Sequence, residues 1–164
     1  VLELSLKDGL TGIFNRRYFD LSLSSEATRR QRYASRLALI LVDVDSFKEY
    51  NDSFGHPAGD VALQHVANCL EKSRRSSDVI ARLGGDEFVV VLPETDTYGA
   101  LEVVKKIQAA LAEPNHLKRP LTASIGVASL SDENLEIESL LRQADKALYE
   151  SKRKGRNEVS VFEN

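Results

Sequence analysis

The chain has 164 residues, 42% hydrophobic and 29% charged, with a formal net charge of -3. That length suits one domain with a real core, and the composition is that of an ordinary globular protein without the basic field that general duplex binding requires. No apolar run approaches the ~20 residues of a membrane span and no secretory signal is read, while the single Cys69 excludes an intrachain disulfide and reads as a buried thiol in a reducing compartment.

Taken in chain order, residues 1–6 read as the tail of a helical linker, so the folded domain is expected over residues 7–164. Residues 19–36 form a predicted helix with an arginine-rich outer side. Leu37–Val44 is a nearly continuous apolar run, the pattern of a strand covered on both faces. Helix-compatible residues follow it, Gly55 and Pro57 interrupt them, and a new helix starts near Ala58 with Ala62, Val66, Cys69 and Leu70 on its apolar side. Residues 78–82 and 88–92 are strands joined at Gly84-Gly85, because tight hairpin turns need a positive φ that glycine adopts freely. A helix follows on Leu101, Val104, Ile107 and Leu111, then a strand over 121–130. Another helix runs on Ile137, Leu140, Leu141, Ala144, Ala147 and Leu148, and a short edge strand covers 159–162. A hairpin between two β–α crossovers gives an α+β fold with a ferredoxin-like βαββαβ core and added helices. That plan alone sets no function.

The chemistry-bearing residues gather around the hairpin and the first strand. Asp86-Glu87 stands at the mouth of the turn. Acidic residues are poor strand formers, so the pair marks either a bare turn or a metal or reaction site. Asp43 and Asp45 close the first core strand, at the end where mixed sheets bind ligands; capping the next helix is their other reading. Pairing of the hairpin beside that strand brings Asp43 and Asp86 together, and they repel unless a cation bridges them. Hard oxygen ligands with room for phosphate favour Mg²⁺ or Mn²⁺.

The N–H groups at Ser46, Phe47 and Lys48 start a helix and suit phosphate, with Lys48 adding a point charge. Asn51 and Asp60 bracket the Gly55-His56-Pro57 turn. An ionised Asp60 accepts two parallel hydrogen bonds and so matches guanine N1–H and its 2-amino group; ordinary first-turn charge is the alternative, and His56 reads as structural. Lys152, Arg153, Lys154 and Gly155 satisfy the end of a helix, which leaves Lys152 and Arg156 able to reach a triphosphate. Arg75 and Asp78, three apart, read on spacing as a surface ion pair.

On these residues the chain resembles the GGDEF domains, the diguanylate cyclases of bacterial second-messenger signalling. The resemblance rests on Asp8-Gly9-Leu10-Thr11-Gly12-Ile13-Phe14-Asn15-Arg16-Arg17-Tyr18-Phe19, Asp43 to Phe47, Asn51-Asp52 with Phe54-Gly55-His56, Gly84-Gly85-Asp86-Glu87-Phe88, Ala123-Ser124-Ile125-Gly126, and Ala144-Asp145 with Ala147-Leu148-Tyr149. These run in the family's order over essentially the whole chain.

The resemblance implies a fold related to nucleotidyl cyclases and polymerase palms. It also implies condensation of two GTP into cyclic di-GMP with release of two pyrophosphates, each subunit of an antiparallel homodimer holding one GTP. By position, Asp43, Asp86 and the Val44 carbonyl are implied as Mg²⁺ ligands. Asn51 and Asp60 are implied for guanine, and Phe47, Lys48, Lys152 and Arg156, with the Gly84-Gly85 turn, for the rest of the substrate. Glu87 is implied either to assist 3′-hydroxyl deprotonation or to orient metal or water. Arg75 and Asp78, with five residues between Asp78 and Gly84, fall where the family carries an inhibitory product site, with Lys106 as a further phosphate contact.

An upstream sensor or receiver, a cytoplasmic setting, and no nucleic-acid or membrane contact by this domain are implied as well. A silent domain that only binds GTP or cyclic di-GMP is the alternative; such domains usually lack a signature carboxylate, and this chain keeps Asp43, Asp86 and Glu87. A polymerase-palm or adenylyl cyclase relative would not need Asn51 and Asp60 as guanine readers.

Overall fold

The structure, a computed structural model, describes residues 5–32, 36–130 and 137–163. Its elements are α1 (Arg16–Arg32), β1 (Leu37–Val44), α2 (Phe47–Phe54), α3 (His56–Ser73), β2 (Val79–Gly84), β3 (Glu87–Pro93), α4 (Thr97–Ala112), β4 (Ala123–Leu130), α5 (Leu140–Arg153) and β5 (Val159–Val161), with a 3-10 turn, Ile137–Ser139, leading into α5. The sheet order is β2-β3-β1-β4-β5. β1 pairs antiparallel with β3 and β4, β2 pairs antiparallel with β3, and β5 joins β4 in parallel. The first four strands have the ferredoxin-like order expected from the sequence.

The apolar run of β1 is explained by its central place, because both of its faces are covered. Ala38, Ile40, Val42 and Val44 join one core with Phe47 and Tyr50 of α2, Val66 and Leu70 of α3, and Ile107 of α4. Leu37, Leu39 and Leu41 join a second core with Phe19 of α1 and Leu140, Ala144 and Leu148 of α5. The two-residue alternation of a strand assigns Asp43 to the α1/α5 side.

Several boundaries differ from the sequence expectation for local reasons. α1 starts at Arg16 because the Asn15 side chain accepts a hydrogen bond from the Tyr18 amide at 3.1 Å, a capping contact that the periodicity of apolar residues does not register. Its predicted extension over residues 33–35 lies outside the described residues, as do residues 1–4 of the predicted linker. Ser5 and Leu6 are not helical; their carbonyls accept from the Asn15 side chain and amide. α3 starts at His56 rather than Ala58, since proline is tolerated in a first helical turn and Pro57 stands there.

The hairpin also closes one residue later than read. Gly84 pairs with Glu87, so the two turn residues are Gly85 and Asp86, with a register irregularity between Arg82 and Gly84. Gly84 and Gly85 hold φ of 151° and 50°, which the turn requires. Asp86 therefore sits in the turn itself, and Glu87 opens β3.

α5 lies unusually close to β4. A Cβ on Gly126 would fall 2.3 Å from the Leu148 amide nitrogen and 2.4 Å from the Ala144 carbonyl oxygen. The buried Ser151 hydroxyl then donates to the Ile125 carbonyl at 2.7 Å and contacts Ser160 at 2.9 Å, tying α5 to β4 and β5. Gly126→Ala has only backbone to push against, so it should destabilise the fold by about 3 kcal/mol or more, read by denaturant unfolding. A wild-type midpoint would contradict this packing.

Candidate active site

The end of β1, the β2–β3 turn and the end of α5 meet on the α1/α5 side of the sheet. Asp43 is the direct cross-strand partner of Glu87, and the Val44 amide donates to the Asp86 carbonyl at 3.1 Å. Three carboxylates thus converge from positions 43, 86 and 87. The Lys152 ammonium, from the last turn of α5, contacts the Asp43 carboxylate directly. Asp43 is held above the ordinary carboxylate range, mainly by burial and further by the Asp86 charge; the Lys152 contact opposes this without cancelling it. Burial also raises Glu87, with Asp43 and Asp145 adding to the effect against Lys152 and Arg16. Burial disfavours the charge of Lys152, but Asp43, and behind it Glu87 and Asp86, outweigh that and hold the ammonium above its ordinary value.

Among the described residues no cluster of three or more carboxylates, imidazoles or thiols forms a ready-made metal cage. The donor set nevertheless suits a hard divalent cation. It offers two carboxylates with a backbone carbonyl alongside, and a cationic side chain already occupies their field. A set this small is the kind that phosphate oxygens and water complete for Mg²⁺.

α2 opens at Ser46, which has φ of 55° and caps nothing with its side chain. Neither Asp43 nor Asp45 caps this helix either. Asp43 faces Lys152, and both Asp45 oxygens are taken by donors from β4 and from the chain after α5. The first-turn amides at Phe47 and Lys48 are therefore without a side-chain cap, beside an exposed Lys48. One turn on, the Asn51 side-chain oxygen is buried and has no hydrogen-bond partner among the described residues. It lies against Gly59, where an added Cβ would fall 1.7 Å from it. Gly59 is the residue before Asp60, so Asn51 and Asp60 are neighbours across the α2–α3 turn; Asp60 is exposed and, because α3 starts at His56, lies beyond its first turn, which carries no acidic residue. His56 is the exposed first residue of that helix. Arg156 follows α5 in a left-handed conformation, φ 67°, and is exposed.

The Arg75–Asp78 pair is not a solvated one. The Asp78 side chain is 0% exposed, against 42% for Arg75. Arg75 donates through Nε and Nη2 to its two oxygens at 3.1 and 3.0 Å, and through Nη2 to Thr95 at 2.5 Å. Asp78 thus holds the guanidinium fork in place; accepting from a base would require Arg75 to turn away. Lys106 is exposed on α4.

One supporting arrangement is invisible to sequence spacing. Asp8 accepts from the Thr11 amide and hydroxyl at 2.9 and 2.7 Å and pairs with Arg82, whose Nε donates to the Gly85 carbonyl at 2.9 Å. The opening motif therefore clamps the turn that carries Asp86. Its partner stands 74 residues away, and no local pattern announces it.

Sheet order, crossovers and acidic strand end together define a palm domain of the nucleotidyl cyclase type. The sequence profile described as "Diguanylate cyclase, GGDEF domain" matches residues 5–158, and the chain belongs to this family. It is 36% identical over 161 residues to the probable diguanylate cyclase DgcC of Escherichia coli, which covers 96% of this chain and 43% of that protein. It is 42% identical over 163 residues to the diguanylate cyclase DgcP of Pseudomonas aeruginosa, covering 97% of this chain and 24% of that protein. The chain thus spans less than half the length of these relatives. Among solved structures, the GGDEF domain of DgcB from Caulobacter crescentus in complex with c-di-GMP superposes with a TM-score of 0.91 at 30% identity, covering 100% of this chain and 99% of that one.

The raised Glu87 generates a stability prediction. A carboxyl whose folded value lies above its unfolded value opposes folding once it ionises, so stability falls as pH rises between the two values. Glu87→Gln removes that cost. It should raise the metal-free Tm at pH 7 by about 2–4 °C and leave it unchanged below pH 4, as read by calorimetry. A lower Tm at pH 7 would contradict the crowding of like charge.

Proposed function

We propose that this domain condenses two GTP molecules into cyclic di-GMP, releasing two pyrophosphates at the interface of a homodimer. The observation that carries the reading is the convergence of Asp43, Asp86 and Glu87 around the Lys152 ammonium, beside the uncapped start of α2. Asn51 supports the choice of base, since its buried oxygen has no partner among the described residues and guanine sets N1–H and its 2-amino group side by side as donors, whereas adenine carries an acceptor at N1 and no 2-amino group.

In this reading Asn51 and Asp60 hold the guanine. The amides of Phe47 and Lys48, with Lys152 and Arg156, hold the triphosphate, and the Gly84-Gly85 turn gives the nucleotide close access to backbone. The 3′-oxygen of one nucleotide forms a bond to the α-phosphorus of the other as the bond to pyrophosphate breaks. Glu87 receives the 3′-hydroxyl proton or orients the water that does, and its raised proton affinity suits either task. Asp43, Asp86 and the Val44 carbonyl are the residues that would hold Mg²⁺, which when bound supplies charge neutralisation at the phosphates. Each chain holds one nucleotide and the product contains two, so two copies must face each other. Lys152 has to exchange Asp43 for phosphate as substrate arrives.

Arg75, Asp78 and Lys106 form the proposed product site, with Arg75 presenting its exposed edge to guanine O6 and N7 and Lys106 adding a phosphate contact. We place the reaction in the cytoplasm, under control of an upstream sensor or receiver. Among the described residues no helix is long and apolar enough to cross a membrane. The presence of Asp43, Asp86 and Glu87 together favours this reading over a domain that merely binds nucleotide, since such domains usually lack a signature carboxylate.

Incubation with GTP and Mg²⁺ should yield cyclic di-GMP by mass spectrometry, and Asp43→Ala or Asp86→Ala should cut the rate by ~10³-fold or more, as removing a principal charge-stabilising group does, with the fold retained by circular dichroism. Wild-type turnover in either variant would remove these carboxylates from the site. Arg75→Ala should leave the initial rate within about twofold while weakening product inhibition at least ~10-fold, the scale of losing a bidentate base contact. Inhibition of wild-type strength in progress curves would return the pair to a structural role.

A further inference from the structure

Asp45 lies between the two segments that the proposed site needs for phosphate, yet it faces neither substrate nor cation. It is 9% exposed, and each of its polar contacts is made inward. Its amide donates to the Thr122 carbonyl at 2.9 Å. One carboxylate oxygen accepts from the Ser124 hydroxyl at 2.6 Å. The other accepts from the Thr122 hydroxyl at 2.7 Å and from the Asn157 backbone amide at 2.9 Å. A carboxylate with three neutral donors in place is satisfied without a cation.

What it holds is backbone in conformations that side-chain-bearing residues seldom adopt. Ser46, the residue after Asp45 and the start of α2, has φ of 55°. Arg156 and Asn157, consecutive residues after α5, have φ of 67° and 51°. Left-handed residues of this kind persist where the surroundings over-determine them, and Asp45 is bonded to both stretches: covalently to Ser46 and by hydrogen bond to Asn157. Ser124 of β4 and Thr122, just before that strand, supply the fixed reference.

We infer that Asp45 is a positioning residue that fixes the α2 start and the Arg156 segment relative to one another, so that the backbone amides of the one and the guanidinium of the other converge on a single triphosphate. This rests on the proposed function for the identity of the ligand and adds to it the element that sets the geometry. The hydrogen bonds of Asp45 go to Thr122, Ser124 and Asn157, not to Asn51 or Asp60, so its loss should weaken the nucleotide more than the nucleoside.

The test is binding to the folded chain of two ligands that cannot react. 3′-Deoxy-GTP lacks the attacking hydroxyl and is followed by calorimetry with Mg²⁺; guanosine lacks phosphates and is followed by NMR titration. Asp45→Ala should weaken 3′-deoxy-GTP by roughly tenfold or more, as loss of an orienting outer residue does, with guanosine affinity unchanged. It should also shift the Asn157 amide proton upfield as its charged acceptor disappears. Asp45→Asn keeps an oxygen for the Asn157 amide and should restore nucleotide affinity to within about threefold.

Should the alanine variant fail to fold, Asp45→Ser carries the same expectation, because its hydroxyl keeps a polar atom in the pocket but ends one bond short of the oxygen that the Asn157 amide reaches. Wild-type nucleotide affinity in a folded Ala or Ser variant, or equal loss of guanosine and nucleotide, would overturn the positioning role. A wild-type protein that bound neither ligand would instead sink the guanine-nucleotide reading on which the role rests.

Discussion

Everything at this site follows from setting three carboxylates close together at one end of a buried sheet. Like charges at that spacing oppose folding, and burial strengthens the opposition. The chain tolerates them because β1 is locked on both sides. β3 and β4 pair along its length, and because both faces of the strand are apolar it is Asp43 that tells them apart. A slip of one residue would turn Asp43 into the opposite core and Val42 toward α5. The remaining relief comes from Lys152, and Lys152 arrives at the right height because α5 rests directly on the backbone of β4 at Gly126. A glycine inside a strand, remote from the chemistry, thus helps set where the cation stands.

The residues of the family motifs divide into those that face the proposed substrate and those that hold the first group still. Asp43, Asp86 and Glu87 hold charge at the site, and Asn51 holds a buried oxygen without a partner among the described residues. Asp8, Arg82, Asp45, Gly59 and Gly126 present nothing. Asp8 is held below the ordinary carboxylate range: burial works against its charge, and the Thr11 bonds together with Arg82 prevail. It stays ionised under all ordinary conditions and so keeps its grip on Arg82 and, through it, on the Gly85 carbonyl. The hairpin is stiffened at its tip, where isolated turns are weakest. A turn that carries a ligand gains affinity from being ordered before the ligand comes.

Much of this was legible in the amino-acid order. The run at Leu37–Val44 announced a central strand, the two glycines announced a hairpin, and the periodic apolar residues announced the helices behind α3, α4 and α5. The sequence places Asp43 beside Asp86; the ladder pairs Asp43 with Glu87, and Asp86 stands in the adjoining turn with its carbonyl bonded to the Val44 amide. The misreadings share one physical origin. Asp45 reads as a helix cap by local spacing, but its donors come from β4 and from the chain after α5, which sequence neighbours do not reveal. The turn was placed at Gly84-Gly85 because both residues permit a positive φ, whereas the bulge after Arg82 moves the closing pair by one. The Asp78 carboxylate reads as solvated at three residues from Arg75, yet it is fully buried, with both oxygens taken by the Arg75 amide and guanidinium. Local pattern fixes elements; long-range partners fix what polar side chains do.

The most direct measurement of the central claim is crystallographic. Crystals grown with Mn²⁺ and 3′-deoxy-GTP would be examined for anomalous scattering at the manganese edge. The proposal predicts a peak bounded by Asp43, the Val44 carbonyl and Asp86, with Lys152 turned from Asp43 to phosphate and guanine against Asn51. A peak away from these carboxylates, or Lys152 still bound to Asp43 with nucleotide in place, would contradict it.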